Sequence, residues 1–291
     1  MTGGRHRRWH LALALLASLA CSGASRDLDA ANELRHAGKP REALKAYQEV
    51  LAELGEGQLG RGDARIRLRA LQFAADVSYL EIGDYAGAVA YYRRVISLYP
   101  GTEDAWRARA TIGDIFRERF GDHVAAIAQY ADVAASDSPA AAEYQLKVAR
   151  EYLELKNYEQ ARTEARILRE RWPESALADE AQLLTAQAWA LEKRTDEALG
   201  AFQATVDRKP RPEVLALALE GEAHLYAQLG KFDKAIELYT QALPSHPNPE
   251  AVRTNIEKVR ERRKAAQTVK PGDRDAVFDR RRPRPITQEI P

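Results

Sequence analysis

Alanine recurs along the chain with an aromatic ring four positions later, and this pairing organises the apolar positions. The pairs are Ala43/Tyr47, Ala88/Tyr92, Ala126/Tyr130, Ala198/Phe202 and Ala235/Tyr239, while Ala161/Ala165 keeps the phase without the ring. Successive alanines of this series lie 45, 38, 35, 37 and 37 residues apart. A period of this length is typical of stacked structural repeats, in which each unit buries its apolar face against its neighbours.

The segment from Gln72 to Pro100 shows what one repeat predicts. Four of its positions share one face of a first helix: Gln72, Ala75, Asp76 and Tyr79. Gly83 then interrupts the run, since glycine readily takes the left-handed conformation that ends a helix. A second apolar face follows at Ala88, Tyr92, Val95 and Ile96. Because neither helix can bury its apolar face alone, we expect antiparallel helix pairs stacked on one another.

These features resemble the tetratricopeptide repeat (TPR). The resemblance is carried by the alanine and aromatic pairs, by the closing prolines, and by three short motifs: Ile112-Gly113 before Phe116, Gly83-Asp84-Tyr85 and Gly230-Lys231-Phe232. The chain departs from the pattern where Lys156 and Lys193 replace the turn glycine, and where one residue is inserted near Phe120. The resemblance implies an all-α TPR solenoid over residues 28–266, with about six antiparallel helix pairs and a C-terminal capping helix from Pro249.

The N-terminal segment is predicted to be an export signal. A cationic stretch ending at Arg8 precedes an apolar run from Leu11 to Ala20, which is too short to span a bilayer as a helix. Cys21 is the only cysteine of the chain and directly follows this run. Its surroundings resemble a bacterial lipobox, which implies a lipoprotein-type signal peptide over residues 1–20 and a lipid anchor on Cys21. An ordinary secretory signal that is cleaved nearby is the alternative.

Two further segments lie outside the predicted solenoid. Residues 21–27 are predicted to be a short tether. Residues 267–291 contain four prolines, several arginines and little apolar periodicity, so we expect a disordered basic tail there. Its arginine-rich stretch from Asp279 to Pro285 suits either contact with an anionic partner or simple solvation.

The resemblance also implies a position for a partner, because TPR proteins line an inner groove with first-helix residues. One row of such positions holds Leu28, Phe73, Ala110, Leu146, Leu183 and Glu220. This row contains no lysine, so the clamp with which TPR co-chaperones hold a C-terminal carboxylate is missing. The predicted partner-binding residues are Phe73, Val77, Leu80, Arg117, Leu146, Arg150, Leu153, Leu183, Gln187 and His224. Their partly apolar surface suits an extended or amphipathic peptide, while packing between repeats is the alternative for the leucines.

The sequence gives little sign of catalysis. It has no glycine-rich phosphate loop, and its histidines are scattered without a pair at metal-ligand spacing. We therefore expect no catalytic residues, no metal site, no cofactor and no enzyme activity. A formal net charge of +1 is too small for a nucleic-acid binder, which needs a clear excess of basic residues.

The junction Leu98-Tyr99-Pro100-Gly101 resembles those of small periplasmic TPR proteins of the BamD, TPR-pilotin and CpoB types. This resemblance implies a lipid-anchored scaffold on the periplasmic face of the outer membrane, or otherwise a periplasmic protein. Such a scaffold binds segments of other envelope proteins and supports assembly of an outer-membrane protein or secretin complex. The alternative is a regulatory or structural partner of a peptidoglycan or cell-division enzyme.

Overall fold

The computed structural model describes residues 23–268, and within that range the chain is helical without any β-strand. The predicted signal peptide, Cys21 and residues 269–291 lie outside the described residues. The chain divides into two compact units between Glu151 and Tyr152, inside the seventh helix. The sequence predicts one uninterrupted solenoid, and this division is not visible in the repeat pattern.

The first unit is built from consecutive helices that pack in sequence order. They are α1 (residues 23–36), α2 (Pro40–Leu54), α3 (Arg61–Asp76), α4 (Tyr85–Leu98), α5 (Glu103–Ile115), α6 (His123–Ala134) and the larger part of α7 (Ala141–Glu154). A loop over residues 55–60 separates the first two helix pairs.

Two first helices of this unit end in π-helical turns. The segment Val77–Ile82 extends α3, and the segment Phe116–Phe120 extends α5. A π turn accommodates an additional residue without ending the helix. The residue that the sequence shows as inserted near Phe120 is therefore absorbed inside the helix, and the turn at Gly121 keeps its left-handed conformation with φ of 63°.

The predicted tether is wrong over most of its length. Residues 23–27 are the first residues of α1, and the Ala24 side chain is buried at 1% exposure. Helical structure is therefore already present at residue 23, five residues before the predicted start at Leu28. Alanine at this position packs into the unit in the same way as Leu28 and Ala31 one and two turns later.

The second unit continues with α8 (Tyr158–Arg171), α9 (Leu177–Leu191), α10 (Thr195–Asp207), α11 (Pro212–Gln228) and α12 (Phe232–Ala242). A short 3₁₀ turn, Leu243–Ser245, leads to α13 (Pro249–Thr268). Along the described chain this makes six helix pairs followed by one further helix, as predicted. The last helix packs on α12 through Val252, Ile256 and Val259, which is the expected role of a cap.

The alanine and aromatic positions form the core of both units. Every alanine of the series is fully buried, and the rings of Tyr47, Tyr130, Phe202 and Tyr239 are exposed by 2% or less. In the first unit the tyrosine hydroxyls also find carboxylate or amide acceptors on the preceding helix. Tyr92 donates to Asp76 Oδ1 at 2.6 Å and Tyr130 donates to Asp114 Oδ1 at 2.6 Å. These hydrogen bonds let a polar ring fill a fully buried position.

Lysine replaces glycine at two turns without changing the backbone. Lys156 and Lys193 have φ of 58° and 63°, close to the 75° of Gly230 at the corresponding turn after α11. A side chain in this conformation costs roughly 1–2 kcal/mol. The surrounding helix pair therefore imposes the turn even where the residue type does not favour it.

Candidate functional site

The second unit contains a concave pocket with a volume of about 440 Å³. Its walls come mainly from the facing first helices α9 and α11, and residues of α7, α10, α12 and α13 complete it. The α9 residues are Gln187, Ala190 and Leu191, and the α11 residues are Leu217, Glu220, Gly221, His224 and Leu225. Spacings of three and four residues place each set on one helical face, so both helices turn a continuous stripe to the pocket.

Most of the pocket surface is apolar. Aliphatic side chains come from Leu153, Ala190, Leu191, Leu217 and Leu225, and the floor includes the rings of Phe202 and Tyr239. The two rings belong to the buried alanine and aromatic series, so the repeat core itself forms the bottom of the pocket. Such a surface favours binding of an apolar side chain because the contact removes apolar surface area of both partners from water.

Gly221 allows the ring of Phe202 to lie directly against α11. A Cβ atom at this position would come within 2.3 Å of Phe202 Cζ. Glycine therefore sets how close the second helix of one pair approaches the first helix of the next pair. The depth of the pocket depends on that close approach, since both residues line it.

Among the described residues that line the pocket, Glu220 is the only acidic one, and there is no lysine or arginine. Its Oε2 atom lies 2.9 Å from His246 Nε2, and the imidazole is 4% exposed. The other ring nitrogen, Nδ1, accepts the backbone N–H of Asn248 at 3.0 Å. That contact assigns the proton to Nε2, so His246 donates to Glu220 and holds the carboxylate in place.

The neighbouring phenol of Tyr239 is held in its neutral form. The pKa of Tyr239 is raised to about 12, mainly by burial and to a smaller degree by the negative charge of Glu220, while Arg262 opposes the shift. The pocket consequently presents the Glu220 carboxylate beside an uncharged phenol. Among the described residues that line it there is no serine, threonine, cysteine or lysine.

Three of the predicted partner-binding residues meet in this pocket, namely Leu153, Gln187 and His224. Phe73 lies in the first unit, beside a separate cavity of about 190 Å³ that Asp76 and Tyr92 also line. Leu80 is exposed in the same unit, as are Arg117 and Arg150. Arg117 forms an ion pair with Glu118 at 2.6 Å.

The prediction of a partner-binding surface is wrong at three positions. Val77, Leu146 and Leu183 are exposed by 0%, 2% and 5%. These side chains pack inside their units, because an apolar residue next to the stripe of a first helix completes the contact with the adjacent helix. For them the alternative of packing between repeats is correct.

Sequence reasoning left Glu220 out of the predicted site, although Glu220 occupies the first groove row. It also missed Leu217 and Asn255. Leu217 and Glu220 could have been predicted from the sequence, because they share one face of α11 with His224 at spacings of three and four residues. Asn255 lies on α13, and its position next to the pocket follows only from the packing of that helix against α12.

Residues 23–268 contain neither a metal-binding cluster nor a membrane-spanning helix. That part of the chain holds no group of three or more His, Cys, Asp or Glu side chains placed to bind a metal ion. None of its helices combines the length and the apolar composition needed to cross a bilayer.

Comparison with protein families gives two matches, both to models described as tetratricopeptide repeat. One model matches residues 77–142 and 146–211, and the other matches residues 218–251. Together the matched residues make up more than half of the chain. No curated protein sequence matches the chain.

Solved structures resemble the fold at low sequence identity. The apo form of RapI is 15% identical with a TM-score of 0.55, and the match covers 83% of this chain and 72% of RapI. PilW, a type IV pilus biogenesis factor, is 16% identical with a TM-score of 0.47 over 80% and 98% of the two chains. YrrB, a TPR protein with an unusual peptide-binding site, is 16% identical with a TM-score of 0.47 over 74% and 99%. At these identities the similarity concerns the fold alone.

Proposed function

Because the chain belongs to the tetratricopeptide repeat family, whose repeats form protein-interaction scaffolds, we propose that it is a non-enzymatic scaffold for extended segments of envelope proteins. In this proposal Cys21 carries a lipid that anchors the protein to the periplasmic face of the outer membrane. The scaffold supports assembly of a multiprotein complex there.

The pocket of the second unit is the observation that carries the binding role. It is concave, mostly apolar and formed by consecutive repeats, so a chain laid across it contacts several helices at once. The amides of Gln187 and Asn255 at this surface have both donors and acceptors for the backbone of an extended peptide. Aliphatic walls and few polar groups are the general composition of a protein's ligand sites.

Photo-crosslinking in intact cells tests the binding role. The crosslinking amino acid p-benzoylphenylalanine replaces Leu217 in the pocket, or Gln203, which is exposed on α10 and does not line the pocket, as the control. We expect crosslinks to defined peptide segments from position 217 only. A second change, Ala190→Trp, fills the pocket and should abolish them while the helical circular dichroism persists. Equal labelling from both positions, or labelling that survives Ala190→Trp in a folded protein, contradicts a pocket-based function.

The anchor is supported by the charged and apolar stretches that precede Cys21. Several acyl chains on one cysteine would hold a protein stably at a bilayer, since each buried methylene contributes about 0.8 kcal/mol. We expect Cys21→Ser to move the protein from the outer-membrane fraction of a sucrose gradient to the soluble periplasmic fraction. Ser22→Ala, which leaves the cysteine intact, is the control. Retention of Cys21→Ser in the membrane fraction refutes the lipid anchor.

A further inference from the structure

We infer that the pocket of the second unit recognises an extended peptide segment in which an apolar residue stands two positions from an arginine or lysine. This inference rests on the proposed peptide-binding function and specifies its ligand. The apolar residue enters the pocket, and the cation pairs with Glu220. The two halves of this recognition come from different observations.

The electrostatic half comes from the environment of Glu220. The Glu220 side chain is 27% exposed, and its Oε2 atom is occupied by His246. The Oε1 atom makes no hydrogen bond within the described residues, and no ion pair to lysine or arginine reaches this carboxylate there. A negative charge that is partly removed from water and lacks a cationic partner is stabilised by any cation that reaches it.

The orientation of Glu220 is fixed before a ligand arrives. His246 is almost fully buried, and its two ring nitrogens are both engaged, one with Glu220 and the other with the Asn248 backbone. The carboxylate is thus held by a rigid neighbour, and a ligand does not have to order it. Binding to such a preorganised group costs less conformational entropy than binding to a freely rotating side chain.

The apolar half comes from the remaining walls. Leu153, Leu191 and Leu217 are only partly covered or exposed, and they line the pocket beside Glu220. A cation alone would leave these side chains in water, whereas an apolar side chain would cover them. In an extended peptide, residues two apart lie on the same side about 6.4–6.8 Å from each other. We therefore expect the apolar residue and the cation to be two positions apart.

Selection from a phage-displayed random dodecapeptide library on the purified full-length protein tests this inference. Selected peptides should share an apolar residue two positions from an arginine or lysine. Their affinity, measured by fluorescence anisotropy on one synthetic peptide, should fall about tenfold in Glu220→Gln, which is the effect expected for loss of one charged hydrogen bond. Glu220→Asp should keep a preference for the basic residue. Glu213→Gln, an exposed change on the same helix outside the pocket, should leave the affinity unchanged.

A double-mutant cycle separates direct pairing from a general loss of structure. Changing the arginine of the peptide to glutamine should weaken binding to the wild type about tenfold but hardly affect Glu220→Gln, because the two changes remove the same interaction. Additive losses overturn the inference. So does an equal affinity of the wild type and a folded Glu220→Gln variant.

The outcomes also separate this inference from the function on which it depends. If no selected peptide loses affinity in a folded Ala190→Trp variant, the pocket does not bind peptides and the proposed function fails. If peptides need the pocket but show no basic residue, only the inferred chemistry fails. The chain's own segment 276–284, which contains Phe278 two positions before Arg280, serves as a competitor. Strong competition by this peptide, together with tighter binding after deletion of residues 269–291, would assign the pocket to the tail and overturn its assignment to a partner.

Discussion

Substitution of Gly221 by alanine tests how closely the helix pairs of the second unit approach one another. A Cβ on Gly221 would lie 2.3, 2.4 and 3.0 Å from three atoms of the Phe202 ring, which is 2% exposed. In an unobstructed helix the same change is favourable by about 1 kcal/mol, because alanine has the higher helix propensity. Overpacking a core costs about 1–3 kcal/mol, and contact with a rigid, buried ring belongs at the upper end of that range. We expect a net destabilisation of about 1–2 kcal/mol.

Gly200 provides the matched control. It lies in α10 of the same unit, is exposed, and a Cβ there would meet no atom within 4 Å. Gly200→Ala should therefore stabilise the protein by up to about 1 kcal/mol. Urea unfolding followed by circular dichroism at 222 nm measures both changes. If Gly221→Ala is as stable as Gly200→Ala, the close approach of α11 to the Phe202 ring is refuted.

The same substitution connects stability with binding. Relief of the contact requires Phe202 to move, and its ring forms part of the pocket floor. Gly221→Ala should consequently weaken peptide binding more than its modest loss of stability explains. The double variant Gly221→Ala/Phe202→Leu should recover stability relative to Gly221→Ala, because the smaller side chain makes room for the new methyl group.

Substitutions at three further residues have effects of definite sign. Tyr92→Ala should lower the free energy of unfolding by about 3–5 kcal/mol, because it is a large-to-small change in the core. Tyr92→Phe should lower it by about 1–2 kcal/mol, because it leaves Asp76 without its hydrogen-bond donor. A melting temperature of Tyr92→Ala equal to that of the wild type contradicts the packing. Burial raises the pKa of Glu222, so its ionised form opposes folding and stability falls as pH rises above the usual value of 4.5. Glu222→Gln should therefore stabilise the protein at pH 7 and lose this advantage in acid, and an equal effect at both pH values contradicts the assignment. The pKa of Tyr239 is raised to about 12, so the contribution of this residue to stability is present below pH 10 and lost between pH 10 and about 12. Over that interval the free energy of unfolding, measured in urea, should therefore fall less steeply for Tyr239→Phe than for the wild type.

The repeat pattern predicts the core because each member of the series meets the same local requirement. A small residue is needed where two helices cross, and a ring is needed to fill the adjacent space, so alanine and an aromatic residue recur together. Their burial in both units confirms the prediction. The prediction also holds at the two turns where lysine replaces glycine, because Lys156 and Lys193 keep the glycine-like conformation with positive φ. The periodic contacts determine the backbone, and the turn residue adapts at a modest cost.

Counting positions from the ring of a first helix is less reliable for the groove. Asp114 lies two residues before Phe116 and accepts the hydroxyl of Tyr130, but the acceptor for Tyr92 is Asp76, three residues before Tyr79. The π turn that begins at Val77 separates Tyr79 from the regular helix. An additional residue per turn rotates the helical face, so the position taken as groove-lining, Val77, is buried in the core.

The role inferred for Glu220 depends on a residue that repeat arithmetic cannot connect with it. In the sequence, His246 is one of several scattered histidines and stands 26 residues after Glu220, beyond α12. The 3₁₀ turn Leu243–Ser245 brings the chain back so that the imidazole is buried against α11. The hydrogen bond from the Asn248 backbone then selects the tautomer that donates to Glu220. A first-helix glutamate without such a neighbour would remain a mobile surface charge, and its preference for a cationic ligand would be correspondingly weak. His246→Phe should therefore reduce the basic preference of selected peptides while their apolar residue is retained, and a folded variant with unchanged preference would show that Glu220 needs no fixed neighbour.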